Sequence, residues 1–568
     1  MLATYAGCVL AAAVVAAPIA VERAVENVQF SDELGTLPVE VSLCHDGRST
    51  LDLGLFGEVY WGVTGTLGFG AYARSTGPPV AGGSLASYVD PEFIQANVAL
   101  INDPDMVVDA YAGNLATGVR DRFMRDEALA SLLGGAVLFA VLPRRRLRGA
   151  PAGRVAVTTA GLVVASTVVS SGLAVVLFRE WPCSQPPAQE YPMPSMAALS
   201  FSSPETREVA RQVEPFIEKN TRRLQERARQ YVADVQASFS FVLASHRGDL
   251  APREGETLVL AEADTQGSFV GVQVRTKMYA DLVEALGRDA VSMRTISGDV
   301  TSNGTVAESA YVEQEAKASG DTPTVAVGGD HDSETTWEQM TDDGIIVPDL
   351  DTVSVGGLQV SGANDREHKK LFGGIVTNDS GISEQALGHK LRDDLDDDDN
   401  PRIVLFHQPD AAAGYLGLDS LDPVRSLEGS ATVPYDDGIP DQPPGIVSIG
   451  HLHELDGPWV LWNTDGDLVT WTVVDQLGTA GGVENHPTFN RFSTPRSTPL
   501  KPLSVRLQFV NLLSGLETGY ATIECDTGGT CIISDRVDVG LPGGQPGGTT
   551  GTQPGVLPTQ DPPASPAQ

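Results

Sequence analysis

Five short apolar runs in this sequence each end in an aspartate or a histidine, side chains that bind metals and transfer protons. The runs are "TLVLAEAD", "MRTISGD", "TVAVGGDHD", "IVLFH" and "GIVSIGHLH". The residues at their ends are Asp264, Asp299, Asp330, His331, His407, His451 and His453. A lone histidine after a strand is more often structural than catalytic, but four of the nine histidines follow these runs, with glycines beside them. The recurrence indicates one shared site.

A cation is the simplest reason to gather these side chains. Strand ends at one edge of a sheet converge, and clustered carboxylates and imidazoles would repel one another or stay unsatisfied unless a metal ion held them. Two divalent ions a few ångströms apart polarise phosphoryl oxygens and lower the pKa of a bridging water, while an imidazole on the opposite side can act as general acid. The residues therefore predict a metal site, and a site of this kind could hydrolyse phosphate mono- or diesters.

The order of these motifs resembles the calcineurin-like metallophosphoesterases, of the membrane-anchored, extracytoplasmic bacterial type. Their pattern runs Asp-x-His, Gly-Asp, Gly-Asn-His-Asp/Glu, a lone His and Gly-His-x-His. The likeness covers roughly residues 257–483, including "SGDVTSNG", "GDHDSE", "GHLH" and, near its end, "GTAGG". It implies an α+β fold, a two-sheet β-sandwich flanked by helices, with two metal ions at the strand ends.

The resemblance also implies a role for each residue. Asp299 would bridge both ions, and His331 would face the substrate and protonate the leaving oxygen. The ligands of the first ion would be Asp264 and His453, and those of the second ion would be Asp330, His407 and His451.

Two positions depart from the family pattern: Gln266 stands where the family has His, and Asp330 stands where it has Asn. Both changes make the site richer in oxygen if Gln266 coordinates through its amide oxygen. Hard oxygen ligands favour Mn²⁺ or Mg²⁺ over Zn²⁺. The alternative is a degenerate metallophosphoesterase, a pseudoenzyme that acts as a cell-surface binding or structural module.

Three apolar segments determine the expected location of the chain. They are residues 2–21, read as an anchor or a signal peptide, and residues 128–143 and 155–178, read as a transmembrane hairpin. The loop between the last two holds five arginines and no acid, which marks the cytoplasmic side. We therefore expect a protein of the cell membrane whose soluble regions both lie outside the cytoplasm.

The expected domain order follows from these segments. A small β-rich region occupies 22–126, an amphipathic helical linker 200–250, the metallophosphoesterase domain 251–542, and a disordered Gly/Pro-rich tail 543–568. In the linker, Val209, Val213, Tyr231 and Val235 recur at helical spacing among other apolar residues, and core packing is the expected purpose.

Composition excludes some partners and enzyme classes. A formal net charge of −36 argues against nucleic-acid binding, because phosphate backbones require a basic surface. The acidic run Asp393–Asp399 is interpreted as a solvated loop, with a calcium site as the alternative. The sequence contains no nucleophile-elbow motif and no convincing phosphate-binding glycine loop, which argues against a serine hydrolase and against a nucleotide-driven enzyme. The expected substrate is a phosphate ester, as the resemblance implies.

Cysteine positions agree with an outside location. Cys525 and Cys531 flank "DTGGT", a turn that would bring them within disulfide distance. Cys44 and Cys183 are a second candidate pair, which the sequence leaves open. Metal ligation by cysteines is the alternative, and their scattered spacing argues against it.

Overall fold

The computed structural model is a mixed α+β protein with two compact units, Met1–Ile217 and Glu218–Gln568. It describes residues 2–34, 37–45, 48–54, 57–61, 69–76, 104–141, 161, 164–174, 189–193, 199–369, 376–395, 401–427, 442–465, 468–482, 499, 501–541, 543 and 547–548.

The first unit contains two long helices that pack against each other, α1 (Leu2–Asn27) and α2 (Pro104–Val141). Tyr5 contacts Phe139 with ring centroids 5.6 Å apart, so the helices run antiparallel along these residues. A Cβ at Gly135 would come within 2.5 Å of Val9, and the glycine therefore permits this close approach. A shorter apolar helix, α3, spans Val164–Ala174.

A seven-stranded sheet completes the first unit. Its strands are β1 (Gln29–Leu34), β2 (Leu37–Cys44), β3 (Ser49–Asp52), β4 (Glu58–Trp61), β5 (Gly70–Ser75), β6 (Tyr191–Pro192) and β7 (Leu199–Phe201). The strand order is β1-β2-β5-β3-β4-β7-β6, and the only parallel pair in this path is β3 with β5. Strands β6 and β7 of this sheet thus lie outside the predicted β-rich region, residues 22–126, and follow the apolar segments in sequence. Helix α2 begins at Pro104, inside the range assigned to that region.

Among the described residues, one helix, Tyr5–Asn27, is long and apolar enough to cross a membrane. The predicted second segment forms the last part of α2, whose main packing partner among the described residues is α1. Residues 142–160, with the arginine cluster, lie outside the described residues, as does Cys183 of the second candidate disulfide.

The second unit contains two seven-stranded sheets and the helix α4 (Pro204–His246), which begins in the first unit. Its strands are β8 (Glu256–Glu262), β9 (Val291–Ser297), β10 (Thr324–Val327), β11 (Asp351–Val355), β12 (Leu358–Gly362), β13 (His368–Lys369), β14 (Val376–Thr377), β15 (Ile403–Phe406), β16 (Gly445–Ile449), β17 (Asp456–Asp465), β18 (Leu468–Gln476), β19 (Leu503–Asn511), β20 (Glu517–Cys525), β21 (Cys531–Ile533), β22 (Val537–Asp538) and β23 (Gly547–Gly548). The remaining helices are α5 (Phe269–Leu286), α6 (Ser309–Ala316), α7 (Glu334–Asp342), α8 (Glu384–Asp394), α9 (Pro409–Leu416) and α10 (Asp422–Arg425).

The first of these sheets has the order β10-β9-β8-β19-β20-β21, with β22 also on β20, and the second has the order β11-β12-β15-β16-β18-β17, with β23 on β18. Strands β8, β9 and β10 run parallel to one another, and so do β12, β15, β16 and β18. Strands β13 and β14 form a separate hairpin. Parallel strands bring their carboxyl ends to one edge, which is where the predicted site residues follow.

Alternating side chains build the layers of the second unit, as expected for strands buried on both faces. In β8, Val259 packs between the sheets, while Leu258 and Leu260 pack with helices α4 and α5. In β15, Leu405 packs between the sheets and Phe406 packs with helices α8 and α9. The two sheets therefore share an apolar interface, and helices cover their outer faces.

Several sequence predictions have a clear outcome. The helix predicted from Pro204 is present, and Tyr231, Val235 and Phe239 pack in the core. The Cys525–Cys531 disulfide is confirmed. Within the predicted disordered tail, Gly547–Gly548 pairs with Leu468–Val469 of β18, and the rest of the tail apart from Gly543 lies outside the described residues.

The acidic run also differs from the loop prediction at its start. Asp393 and Asp394 end helix α8, while residues 396–400 lie outside the described residues.

Candidate metal centre

All eight predicted site residues lie in one cluster after the strand ends, and seven of them are buried while His451 is partly exposed. Asp264 and Gln266 follow β8, Asp299 follows β9, and Asp330 with His331 follows β10 of the first sheet. His407 follows β15, and His451 and His453 follow β16 of the second sheet. The sequence predicts a single sheet edge, whereas the structure brings together the edges of two sheets.

Three overlapping groups in the cluster could hold a metal ion. They are Asp264 with Asp299 and His453, Asp330 with His407 and His451, and Asp299 with Asp330 and His331. Within each group the ligand atoms all lie within 4.8 Å of one another. The first two groups match the two predicted ligand sets, and Asp299 and Asp330 connect the groups.

Short distances link the two sides of the cluster. Nε2 of His407 lies 3.1 Å from Oδ1 of Asp330 and 3.2 Å from Oδ1 of Asp299. Nδ1 of His451 is 3.4 Å from Oδ1 of Asp330. On the other side, Nε2 of His453 lies 3.3 Å from Oδ1 of Asp264. These nitrogen and oxygen atoms converge on the same small volume.

The backbone adopts an uncommon conformation at most of these positions. Among the described residues six non-glycine residues have positive φ, and five of them belong to the predicted site: Asp264 (53°), Gln266 (40°), Asp299 (56°), His451 (72°) and His453 (53°). Positive φ costs energy in residues with a Cβ and persists where the surrounding structure enforces it. The fold thus tolerates this energetic cost, and the resulting backbone turns these side chains toward one point.

Glycines beside the ligands permit the close approach of the strand ends. A Cβ at Gly329 would lie 2.3 Å from Oδ1 of Asp299. Any side chain at this position would displace that carboxylate, which accounts for the second glycine of "VGGDHD".

Backbone groups orient the ligands. The Nδ1–H of His407 donates to the carbonyl of Ser297 at 3.0 Å, because a carbonyl can only accept, and this leaves Nε2 to face the carboxylates. The backbone N–H of His331 donates to Oδ1 of Asp299 at 2.9 Å, and that of His451 donates to Oδ1 of Asp264 at 3.1 Å.

Asp332 holds the loops rather than joining the ligand groups. Its carboxylate accepts from the backbone N–H groups of Val300, Thr301 and Gly329 at 3.0, 2.7 and 2.8 Å. The next residue, Ser333, caps helix α7 by accepting from the N–H of Thr336. The second aspartate of "GDHD" thus fixes the loops after β9 and β10.

The electrostatics of the cluster favour a cation. Burial raises the pKa of Asp264 well above its usual range and raises the pKa of Asp299 to about 7, and neighbouring carboxylates add to both shifts. Burial alone would lower the pKa of His407, but the charges of Asp299 and Asp330 raise it well above the usual value. Burial alone would raise the pKa of Asp330, yet hydrogen bonds with His407 and His451 lower it.

Among the eight site residues, three buried side-chain polar atoms have no hydrogen-bond partner in the described part of the chain: Oδ2 of Asp264, Oε1 of Gln266 and Nδ1 of His331. Unpaired buried polar atoms are costly, and two of these are oxygens suited to a hard cation. The donor set and its unpaired atoms therefore fit a bound divalent metal.

His331 differs from the histidines of the two main ligand sets. Burial lowers its pKa; Asp330 opposes this effect and the positive charge of Lys369 adds to it. A phosphate group beside the ring would bring negative charge and favour the protonated imidazole.

Two groups near the cluster were not predicted from sequence. Lys369 in β13 lies 3.9 Å from Oδ2 of Asp330. Burial, with Glu384 nearby, raises the pKa of Asp365, which accepts from Nε2 of Gln408 at 2.8 Å. Asp365 and Lys369 lie within residues 364–369, outside the motifs that resemble the metallophosphoesterases. The basic stretch "HKK" is the sequence signal that could have indicated Lys369.

No protein-family model matches this sequence, and no curated protein matches it. The interpretation of the site is therefore based on its own residues and geometry.

Proposed function

We propose that this protein is a metal-dependent phosphoesterase that hydrolyses phosphate mono- or diesters. The observation that carries the proposal is the pair of carboxylate and histidine groups, Asp264/Asp299/His453 and Asp330/His407/His451, with His331 beside them. The two packed sheets with helices on their outer faces are the layers expected of a metallophosphoesterase sandwich.

Each residue has a defined task in this proposal. Asp299 lies between the two ligand groups and serves both, while Asp264 and His453 on one side and Asp330, His407 and His451 on the other hold a cation each. When bound, two divalent ions supply positive charge to phosphoryl oxygens and lower the pKa of an attacking water. His331 is placed to give a proton to the leaving oxygen, because its Nδ1 is unpaired among the described residues.

Gln266 and Asp330 favour hard cations, so we propose Mn²⁺ or Mg²⁺ rather than Zn²⁺. The amide oxygen of Gln266 and the extra carboxylate of Asp330 replace nitrogen and amide donors of the resembled pattern. The carboxylate also offsets cation charge.

We further propose that the chain is anchored in the cell membrane with its soluble regions outside the cytoplasm. Support comes from the first unit, where α1 and α2 run antiparallel and Tyr5 meets Phe139. Leu129, Leu132, Leu133 and Val137 of α2 are exposed large apolar residues, which lipid would cover. The arginine cluster that follows α2 in sequence supports a cytoplasmic location for that end of the helix.

The test is turnover by the full-length chain purified in detergent. We expect hydrolysis of p-nitrophenyl phosphate or its diester that stops after chelation and returns with added Mn²⁺ or Mg²⁺. No turnover with any divalent metal would contradict the enzyme proposal. Recovery of turnover by Gln266→His alone would then establish the pseudoenzyme.

A further inference from the structure

The segment from Asp365 to Lys369, which ends with strand β13, lies against the candidate metal centre. The N–H of Asp365 donates to the carbonyl of Gly328 at 2.9 Å, and the N–H of Lys369 donates to the carbonyl of Asp330 at 2.5 Å. Nε2 of His368 donates to the carbonyl of Asn303 at 3.1 Å. These bonds fix the backbone of Lys369 to the loop that carries Asp330 and His331.

The ammonium group of Lys369 points into the acidic side of the cluster. Its Nζ lies 3.9 Å from Oδ2 of Asp330, and its side chain is 24% exposed. The separation is too long for a hydrogen bond, so the ammonium hydrogens remain able to bind a third group. Its charge also acts on His331, the proposed general acid.

A second lysine near the cluster, Lys501, binds the protein backbone instead of facing Asp330. Nζ of Lys501 donates to the backbone carbonyl of His453 at 3.3 Å, so its role is to hold the loop after β16. Among the described residues, Lys369 is the lysine that combines partial exposure with proximity to Asp330 and His331.

The net charge of the proposed two-ion site explains how this lysine could assist phosphate binding. Three ionised carboxylates, Asp264, Asp299 and Asp330, would leave a net charge of about +1 beside two divalent ions, and Lys369 raises it to about +2. A phosphate monoester is a dianion above its second pKa of about 6, whereas a diester is a monoanion. The lysine thus restores the positive charge that the carboxylate at position 330 removes.

We propose that Lys369 is a substrate-binding residue that contacts a non-bridging phosphate oxygen and makes phosphate monoesters the preferred substrates. This inference rests on the proposed function of the same site. The charged hydrogen bond is formed with the phosphate, and Asp330 keeps the ammonium in place between substrates.

The experiment compares Lys369→Met, Lys369→Arg and the wild-type full-length chain, each loaded with Mn²⁺. The control is Lys390→Met, since Lys390 is an exposed lysine paired with Asp394 on helix α8. The readouts are kcat/KM for p-nitrophenyl phosphate and for bis(p-nitrophenyl) phosphate, the Kd of inorganic phosphate by calorimetry, and bound metal by mass spectrometry.

We expect Lys369→Met to lose about 10- to 100-fold in kcat/KM for the monoester and in phosphate affinity, with a smaller loss for the diester. Lys369→Arg should retain most of both, Lys390→Met should match the wild type, and every variant should keep its metal.

Three results would overturn the inference. Equal losses for the two esters, or unchanged phosphate affinity in Lys369→Met, would exclude a substrate contact. Loss of metal in that variant would show that Lys369 acts on Asp330 alone. A wild-type chain that binds no metal and hydrolyses neither ester would instead refute the proposed function. This failure is distinguishable from failure of the Lys369 inference, because it appears in the wild type before any substitution is made.

Discussion

The side-chain amide of Gln266 donates from Nε2 to Oδ2 of Asp299 across 3.0 Å, and its Oε1 has no hydrogen-bond partner among the described residues. Gln266 is therefore tied to the carboxylate proposed to serve both ions. Gln266 stands at the sequence position where the resembled pattern has a histidine, so in the proposed centre its unpaired oxygen would favour a hard cation.

We expect Gln266→His to move the metal preference of the site toward Zn²⁺. The substitution replaces a hard oxygen donor with an imidazole nitrogen, which favours later transition metals. Metal-stripped wild-type chain should regain activity best with Mn²⁺ or Mg²⁺ and poorly with Zn²⁺, measured by phosphodiester hydrolysis and by calorimetric titration. Highest turnover with Zn²⁺ in the wild type would refute the hard-site interpretation.

Asp299→Asn should abolish nearly all turnover and weaken metal binding, because Asp299 belongs to two of the three ligand groups.

His331→Ala should keep metal bound and slow turnover by about 10²- to 10⁴-fold, the usual contribution of a general acid. Metal content and initial rates separate the two effects.

The leaving group provides a control for His331. The loss in His331→Ala should be smaller with p-nitrophenyl phosphate than with phenyl phosphate, because nitrophenolate leaves without protonation. An equal loss with both esters would contradict the general-acid role.

Arg294→Met should destabilise the second unit. Arg275, Arg294, Glu262 and Glu315 form a fully buried ion network, in which Nη1 of Arg275 lies 2.9 Å from Oε2 of Glu262 and Arg294 pairs with both glutamates. Removing one partner of a buried ion pair costs about 3–5 kcal/mol because uncompensated charge stays behind.

The matched control is Arg288→Met, whose exposed pair with Asp321 should contribute less than about 1 kcal/mol. Thermal unfolding of both variants measures the difference. Equal midpoints for Arg294→Met and Arg288→Met would contradict the importance of the buried network.

Cysteine labelling tests the membrane topology. In intact cells, a membrane-impermeant thiol reagent should modify a cysteine in Glu205→Cys, an exposed position at the start of helix α4, beyond the labelling of the parent chain. Gly149→Cys, within the arginine-rich stretch, should react only after permeabilisation. The opposite pattern would reverse the proposed orientation.

Local sequence patterns are sufficient to find the residues that the structure gathers at the site. Strands such as "TVAVGG" are short, apolar and bounded by glycine, so the polar groups that follow, including Asp330 and His331, must lie at a strand end. The Cys525–Cys531 disulfide was predictable in the same way, because only five residues, which form a turn, lie between the two cysteines.

Contacts between distant segments could not be predicted from sequence. Strand β7 pairs with β4, with Phe201 opposite Val59, although the apolar segments intervene. Lys369 reaches Asp330 through backbone bonds between two loops, and no local periodicity encodes such a contact.

The most direct measurement is the rate of p-nitrophenyl phosphate hydrolysis as Mn²⁺ is titrated into the metal-stripped full-length chain, beside Asp299→Asn. If two ions bind as proposed, with Asp299 serving both, the wild-type rate should rise to a plateau at about two equivalents of Mn²⁺. The Asp299→Asn chain should show almost no rate over the same range. A wild-type rate that does not depend on added metal, or a variant that matches the wild type, would contradict a metal-dependent phosphoesterase at this site.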